Sequence, residues 1–139
     1  MKLSYDIPNI GCLLGIAYQT ETARLNSALS EADIDITAAE YLILRTLYSY
    51  GPIQQCEISK TLGKDKASIN RSIHSLVKKG LISADTISYK CSIISLTPEG
   101  TSLKSKLIKI GERAHNRLSA RISKQQMETL REILELIIK

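Results

Sequence analysis

The sequence lacks several features that would assign it to other classes of protein. It contains no run of 18 apolar residues, so no membrane-spanning helix is predicted. It also lacks a charged N-terminal region followed by an apolar segment and a cleavage site, as a secretion signal would have. The three cysteines, Cys12, Cys56 and Cys91, are widely spaced and odd in number, which does not suit a disulfide framework. We therefore expect a cytoplasmic protein without a membrane partner.

Catalytic and metal-binding patterns are missing as well. The chain has no glycine-rich phosphate loop, no HExxH motif and no recognisable pair of nucleophile and base. Its two histidines, His74 and His115, are far apart and have no matching cluster of further ligands. The sequence therefore predicts a protein that is not an enzyme and that uses neither a metal nor a cofactor.

The distribution of charge indicates a surface that binds nucleic acid. The 139 residues fit one domain with helical extensions, and the net charge is +5. Residues 53–80 contain six lysines and arginines against two acids, a net charge of +4, whereas residues 1–36 have a net charge of −3. A basic segment beside an acidic one is typical of a protein that contacts phosphates.

The basic segment has the pattern of a helix-turn-helix, with the sequence EISKTLGKDKASINRSIHSLVKKGLI at residues 57–82. Gly63 ends the first helix, because glycine adopts the left-handed conformation without steric cost. Asp65 stands where the N-cap of the second helix belongs, and Gly80 ends that helix. The apolar side of the second helix is predicted to consist of Ile69, Ile73, Leu76 and Val77.

The opposite side of the second helix carries the residue types that read DNA. Arginine can fork onto a guanine edge, asparagine can pair with adenine, and serine can reach bases or phosphates. Lysines at the ends of the helix suit phosphates rather than bases. The alternative interpretation is an amphipathic helix with a solvated polar face. The predicted DNA-contacting residues of this segment are Lys64, Lys66, Ala67, Ser68, Asn70, Arg71, His74, Ser75 and Lys78.

Two helices are predicted before this segment. The first runs from about Pro8 to Ser30, and its apolar stripe is longer than a small helix-turn-helix can cover. Thr37 and Glu40 then form a capping-box pattern, in which each side chain satisfies a backbone donor near the other. The helix that they start is predicted to end at Gly51.

A β-hairpin is predicted directly after the second helix of the helix-turn-helix, because the hydrophobic period changes there. Two short strands flank a polar tip from Asp85 to Lys90. The apolar residues of the returning strand are predicted to be Cys91, Ile93 and, after a switch of phase, Leu96. A hairpin that follows a reading helix is a wing.

Two more helices follow the predicted wing. Thr97 and Pro98 start one, and a capping box at Ser123 and Gln126 starts the last. The apolar faces of the terminal helices need a partner surface, and a second copy of the chain would supply it, since two-fold dimers are the commonest oligomers. Packing within the chain is the alternative. The predicted fold class is mostly α with a small β-hairpin wing, a winged helix-turn-helix with N- and C-terminal dimerisation helices.

In the order and spacing of these motifs, the chain resembles the MarR family of bacterial transcriptional regulators. The resemblance implies a homodimer that binds palindromic, double-stranded promoter DNA, usually as a repressor, with small ligands that often relieve this binding. It assigns residues 1–36 and 101–139 to dimerisation and residues 37–100 to DNA binding. It also implies that Ser68, Asn70, Arg71 and His74 read the groove. The motifs that carry it are the segment 57–82, SLTPEG at 95–100, TAAEYLILRTLYSYGPI at 37–53 and LSARISKQQMETLREIL at 118–134.

The predicted wing departs from the pattern of this family. Wings of the family usually carry Asp-x-Arg near the tip, where the arginine enters the minor groove. Here Ser88-Tyr89-Lys90 occupies that place, and the wing is shorter. Lys90 is the predicted DNA contact of this wing, and Asp85 opposes its charge. Because arginine and lysine are not equivalent in a narrow minor groove, we expect the wing to bind DNA more weakly or differently.

The cysteines leave a second function open. Cys12, with Tyr18 and Tyr41, is similar to the peroxide-sensing branch of the family, in which a lone cysteine of the N-terminal helix is oxidised. This cysteine lies in the apolar sequence GCLLGIA, however, which is typical of a core cysteine. Cys56 and Cys91 fall at core-phase positions, and we expect them to be inert.

A protein-interaction module is a third possible function. The wing and the second helix of the helix-turn-helix would then bind a protein partner instead of DNA. The weakly basic wing favours this interpretation, whereas the concentration of positive charge between Lys64 and Lys79 opposes it. Binding to DNA that weakens steeply with salt would distinguish the two functions, since neutralised phosphates release counterions.

Overall fold

The structure, a computed structural model, describes residues 9–89 and 91–139. It consists of two compact units, of which the first ends at Lys104 and the second comprises Ser105–Lys139. The described residues form seven α-helices and one three-stranded sheet. This confirms the prediction of a mostly α fold with a β-hairpin after the helix-turn-helix. Among the described helices, none is both long enough and apolar enough to cross a membrane.

Helix α1 runs from Ile10 to Glu31. Its N-cap is Asn9, whose side chain accepts a hydrogen bond from the Gly11 amide at 2.7 Å. The predicted start at Pro8 lies outside the described residues. The buried residue of α1 is Leu29, so the helix leaves much of its apolar side exposed. The large exposed apolar residues of α1 are Ile10, Leu13, Ile16 and Tyr18.

Helix α2, Ala38–Tyr50, starts with the predicted capping box. The Thr37 hydroxyl accepts from the Glu40 amide, and the Glu40 carboxylate accepts from the Thr37 amide, each at 3.2 Å. The helix ends at Gly51, which has a φ of 74°. Because α2 is covered on several sides, it supplies much of the core of the first unit, with Ile43, Leu44 and Leu47 almost fully buried.

The helix-turn-helix consists of α3, Gln55–Leu62, and α4, Lys66–Lys78. Gly63 adopts the left-handed conformation between them, at φ 62° and ψ 30°, as the sequence predicts. The side chains that join the two helices to the rest of the core are Ile58, Ile69, Ile73 and Leu76. Strand β1, Ile53–Gln54, precedes α3 and was not predicted, since two residues are too few to show an alternating pattern.

The wing is formed by β2, Ile82–Ser88, and β3, Cys91–Leu96. The sheet has the order β1–β3–β2, and both pairs of strands are antiparallel. The register shifts between Thr86 and Ser88, where β2 contains one extra residue. The strands are longer than predicted, so Asp85 lies within β2 rather than in the tip.

The predicted inward side of the returning strand was wrong. Ile94 is the fully buried residue of β3, and it pairs with Ile53 of β1. Cys91 and Ile93 lie on the opposite side of the strand and are half-buried. A single alternation through Ile94 and Leu96 thus replaces the switch of phase that the sequence suggested.

Gly100 is buried at the base of the wing, within helix α5, Pro98–Ser102. The Thr97 amide donates to the Leu81 carbonyl at 3.1 Å, and the Tyr48 hydroxyl donates to the Gly100 carbonyl at 2.6 Å. A Cβ atom on Gly100 would overlap the Leu81 carbonyl oxygen. Three segments therefore meet at Gly100, namely α2, α5 and the residues that lead into the wing. The space at this position accommodates only glycine.

Two helices follow α5, and the predicted single helix after Thr97 is interrupted at Leu103. Helix α6 covers Lys104–Ser119. Helix α7, Lys124–Ile138, starts with the predicted capping box of Ser123 and Gln126. All residues of α7 are exposed or half-buried. The large apolar residues that α7 exposes are Leu130, Ile133, Leu136, Ile137 and Ile138.

Candidate nucleic-acid interface

The N-terminus of α4 is organised by Asp65. Its carboxylate accepts from the Ser68 amide at 3.0 Å and from the Ser68 hydroxyl at 2.6 Å. These hydrogen bonds from Ser68 hold the pKa of Asp65 below its ordinary value. The stability that the cap contributes is therefore fully present above the unfolded-state pKa and is lost as the pH falls through the folded-state pKa. The Arg71 guanidinium in turn donates to the Ser68 hydroxyl at 3.2 Å, which holds Arg71 at the start of the helix.

The outer side of α4 presents most of the residues that were predicted to contact DNA. Ile69, Ile73 and Leu76 are buried on the inner side, so the opposite side of the helix faces away from the core. Ser68 is half-buried within the cap. The exposed predicted residues of α4 are Lys66, Ala67, Asn70, Arg71, His74 and Lys78.

Asn70 is oriented by a residue that the sequence did not single out. Gln55, at the start of α3, donates from its amide nitrogen to the Asn70 amide oxygen at 3.2 Å. This contact fixes the direction of the Asn70 amide on the outer side of α4. The two residues are 15 positions apart and lie in different helices. The periodicity of a single helix therefore could not predict this contact.

Ser75 makes a hydrogen bond within the protein. Its hydroxyl donates to the Glu40 carboxylate at 3.2 Å, and the Lys79 ammonium contacts the same carboxylate at 3.1 Å. Glu40 is only 3% exposed. Ser75 and Lys79 therefore hold the C-terminal half of α4 against α2, and contact of Ser75 with DNA stays a prediction. Sequence reasoning missed this cluster because its members are 35 and 39 residues apart.

Lys64 contacts α1. Its ammonium donates to the Tyr18 hydroxyl at 2.9 Å and lies 5.6 Å from the centre of the Tyr18 ring. This hydrogen bond lowers the pKa of the Tyr18 phenol. The contact joins α1 to the turn of the helix-turn-helix, so Lys64 is held by a side chain of its own unit rather than extended from the surface.

The described part of the wing tip is apolar and aromatic. Tyr89 is 96% exposed, and Ile87, the extra residue of β2, is 68% exposed. Asp85 is exposed in the same strand. Lys90, the predicted basic residue of the tip, lies outside the described residues. The sequence indicated a wing tip that is less basic than is usual in the MarR family. The described side chains on the N-terminal side of Lys90 agree, since none of them is basic.

The cysteines are more accessible than predicted. Cys56 is exposed, because α3 begins at Gln55 and places this residue in its first turn, outside the core. Cys91 is half-buried at the start of β3, so the core positions expected for both residues were wrong. Cys12 is exposed on α1 rather than buried. In the part of the chain that the structure describes, no three His, Cys, Asp or Glu residues are grouped as a metal site.

Comparisons with known proteins agree with this fold. The model of the MarR family matches residues 36–84. The multiple antibiotic resistance protein MarR of Salmonella typhimurium is 26% identical over 145 residues, which cover 99% of each chain.

Solved structures extend the similarity to the whole chain. BpsR of Bordetella bronchiseptica, whose DNA binding is regulated by 6-hydroxynicotinic acid, matches with a TM-score of 0.83 and 20% identity over 98% of each chain. A mutant MarR of Escherichia coli complexed with operator DNA matches with a TM-score of 0.82 and 24% identity over 100% of each chain. These two likenesses establish the shared fold. The family match over residues 36–84 and the full-length relative add that the chain is similar to the MarR family, whose members are transcriptional regulators and not enzymes.

Proposed function

We propose that this protein is a transcriptional regulator of the MarR family, and that it binds palindromic promoter DNA in a sequence-specific manner, as a homodimer and as a repressor. The observation that carries the proposal is the outer side of α4, where Asn70, Arg71 and His74 are exposed together opposite a buried apolar side. A helix of this kind fits the major groove, whose base edges match arginine and asparagine. The Escherichia coli relative that was solved with operator DNA supports the same use of the fold.

The residues of α4 divide into two roles in this proposal. Asn70, Arg71 and His74 would contact base edges, and the small Ala67 would allow close approach of the helix to the groove. Ser68 would act from within the cap, through the hydroxyl that holds Arg71. Lys66 and Lys78, at the two ends of the helix, would contact phosphates and so position the protein without reading sequence.

The homodimer is supported by apolar side chains that the chain leaves exposed. In α1 they include Leu13 and Ile16, which are 38% and 39% exposed, and in α7 they include Ile133 and Ile137, which are 47% and 53% exposed. A second copy of the chain would cover such surfaces. A two-fold dimer would present two copies of α4 to the two halves of an inverted repeat.

We also propose that a small effector relieves DNA binding, and that the protein acts in the cytoplasm, where its promoter DNA lies. The control of BpsR by 6-hydroxynicotinic acid supports an effector in a relative of the same fold. Oxidation of Cys12, which is exposed on α1, stays a prediction.

Arg71→Ala is expected to weaken operator binding by about 1–3 kcal/mol and to relax sequence preference, because a forked contact to guanine would be lost. Lys78→Ala is the matched control, since it should weaken binding to all duplexes nearly alike. Titration of each variant with operator and with unrelated duplexes measures both effects. Unchanged specific binding by Arg71→Ala would show that the reading side of α4 has been assigned wrongly.

Selection from a library of random duplexes, at two salt concentrations, tests the proposed function as a whole. We expect an inverted repeat to be enriched and binding to fall steeply with salt, because neutralised phosphates release counterions. Enrichment of a sequence without two-fold symmetry would contradict the dimeric mode of reading. If a folded protein enriched no sequence at either salt concentration, the protein-interaction function would replace DNA binding.

A further inference from the structure

A groove of about 470 Å³ lies beside the proposed DNA-reading side of α4. The start of α3, the start of α4 and the wing form its walls. Two of the three cysteines of the chain, Cys56 and Cys91, line this groove. Lys66, Asn70 and Tyr89 line it as well, so the two thiols share a cavity with residues of α4 and of the wing tip.

The pairing of β1 with β3 explains why the two thiols share this groove. Ile53 pairs with Ile94, and Gln54 pairs with Ile93. In an antiparallel ladder each step forward along one strand meets a step backward along the other. If this register continued beyond Gln54, Cys56 would stand opposite Cys91. The chain turns into α3 at Gln55, so the two residues are at the same end of the β1–β3 pair without being paired in the sheet.

The direction of the side chains agrees with this placement. Cys91 is two residues from Ile93, so both side chains lie on the same face of β3, which is also the face of Gln54. The Cys56 thiol contacts the Gln54 amide oxygen at 3.4 Å. Both thiols are therefore on one side of the sheet, at the end where β1 gives way to α3.

Both thiols can meet a small reagent from solvent. Cys56 is exposed, and Cys91 is half-buried at the wall of the open groove. Lys66 supplies a positive charge to the same groove, which favours the approach of anionic reagents. Cys12 lies on α1 and is not among the residues that line the groove.

We propose that Cys56 and Cys91 form a redox-active pair that closes to an intramolecular disulfide by exchange with a small anionic disulfide. The Cys56 thiol loses its proton, and its sulfur attacks one sulfur of the oxidant, which breaks the oxidant's bond and releases one thiol. The Cys91 thiol then loses its proton and attacks the Cys56 sulfur of the mixed disulfide, which releases a second thiol. Two cysteines are oxidised, one external disulfide is reduced, and the two protons leave with the two released thiols.

The new bond would alter the surface that is proposed to read DNA. It would tie the first turn of α3 to the base of the wing tip and narrow the groove between them. Gln55, which orients Asn70, is the neighbour of Cys56 in the chain. We infer that the disulfide weakens DNA binding about tenfold, comparable to the loss of one good base contact. This regulatory step rests on the proposed function, whereas formation of the bond does not.

Mass spectrometry of the full chain after incubation with glutathione disulfide tests the bond. We expect the protein to lose two hydrogens and to yield a reducible peptide pair that contains Cys56 and Cys91. Cys12→Ser is the matched control and should form the same bond. Cys56→Ser and Cys91→Ser should instead each retain a mixed disulfide with glutathione. Three free thiols after incubation, or a bond that includes Cys12, would overturn the assignment.

Binding of the duplex that the selection enriches, before and after oxidation, tests the regulatory step. We expect oxidised protein to bind about tenfold more weakly, reductant to restore binding, and Cys12→Ser to respond to both treatments as the wild type does. A disulfide that forms without any change in duplex binding would overturn the regulatory step. Failure of the reduced protein to bind any duplex would contradict the proposed function, while the peptide masses would still decide whether the bond forms.

Discussion

Gly100→Ala is expected to lower the free energy of unfolding by about 1–3 kcal/mol, since overpacking of a filled interior forces neighbouring groups apart. The added Cβ would overlap the Leu81 carbonyl oxygen and lie 3.1 Å from its carbon and 3.3 Å from Leu96 Cδ2. Backbone atoms cannot move aside as a flexible side chain can. The nearby hydrogen bonds of Thr97 to Leu81 and of Tyr48 to Gly100 would be strained together.

Gly15→Ala provides the control for this prediction. Gly15 lies within α1, and the structure finds no described atom within 4 Å of a Cβ at that position. We expect this variant to gain about 0.5–1 kcal/mol, because alanine loses less entropy than glycine in a helix. Denaturant unfolding measures the free energy of unfolding of both variants. The protein concentration is held fixed, because the stability of a dimer depends on it. Equal stabilities for the two variants would refute the close packing at the base of the wing.

Glu40→Ala is expected to cost about 2–4 kcal/mol of stability, because it leaves hydrogen-bonding and charged groups without their partner. Glu40 is 3% exposed and accepts from the Thr37 amide, the Ser75 hydroxyl and the Lys79 ammonium. The Lys79 side chain is 27% exposed and can reach water, which limits the cost. Glu40→Gln should lie between the wild type and Glu40→Ala, since an amide oxygen can still accept the cap hydrogen bond.

An exposed ion pair in α3 serves as the control for Glu40. Lys60 and Glu57 are 3.5 Å apart, and their side chains are 75% and 50% exposed. Lys60→Ala should change stability by less than about 0.5 kcal/mol, because solvent screens exposed pairs. Thermal unfolding of the three variants at one concentration tests the contrast. If Glu40→Ala were as stable as Lys60→Ala, the attachment of α4 to α2 would not depend on the buried carboxylate.

Local sequence patterns predicted the parts of the fold that depend on near neighbours. The capping box of Thr37 and Glu40, the N-cap at Asp65 and the left-handed Gly63 each involve residues within a few positions of one another. These features can therefore be predicted from short sequence motifs, each of which favours one local structure. The apolar side of α4 followed from helical periodicity in the same way, apart from Val77, which is 42% exposed.

Contacts between distant parts of the chain could not be predicted in this way. Serine is a residue type that often contacts DNA, so Ser75 was predicted to do so. Its hydrogen bond with Glu40 depends on the tertiary position of α2, which local sequence does not reveal. Cys56 fitted an apolar period, but the start of α3 at Gln55 turned it outward. Strand β1 exists because β3 pairs with it, so neither residue of β1 carries a sufficient local signal.

Among the described strands, β2 lies at the edge of the sheet, so one side of its backbone has no neighbouring strand in the described part of the chain, while β3 occupies the other side. Such an edge can pair with an edge strand of another molecule and begin aggregation. The extra residue between Thr86 and Ser88 bends the strand, and the exposed Asp85 adds a charge to it. Both features disfavour edge-to-edge pairing. The wing can therefore project into solvent with a reduced tendency to join the wings of other copies into larger assemblies.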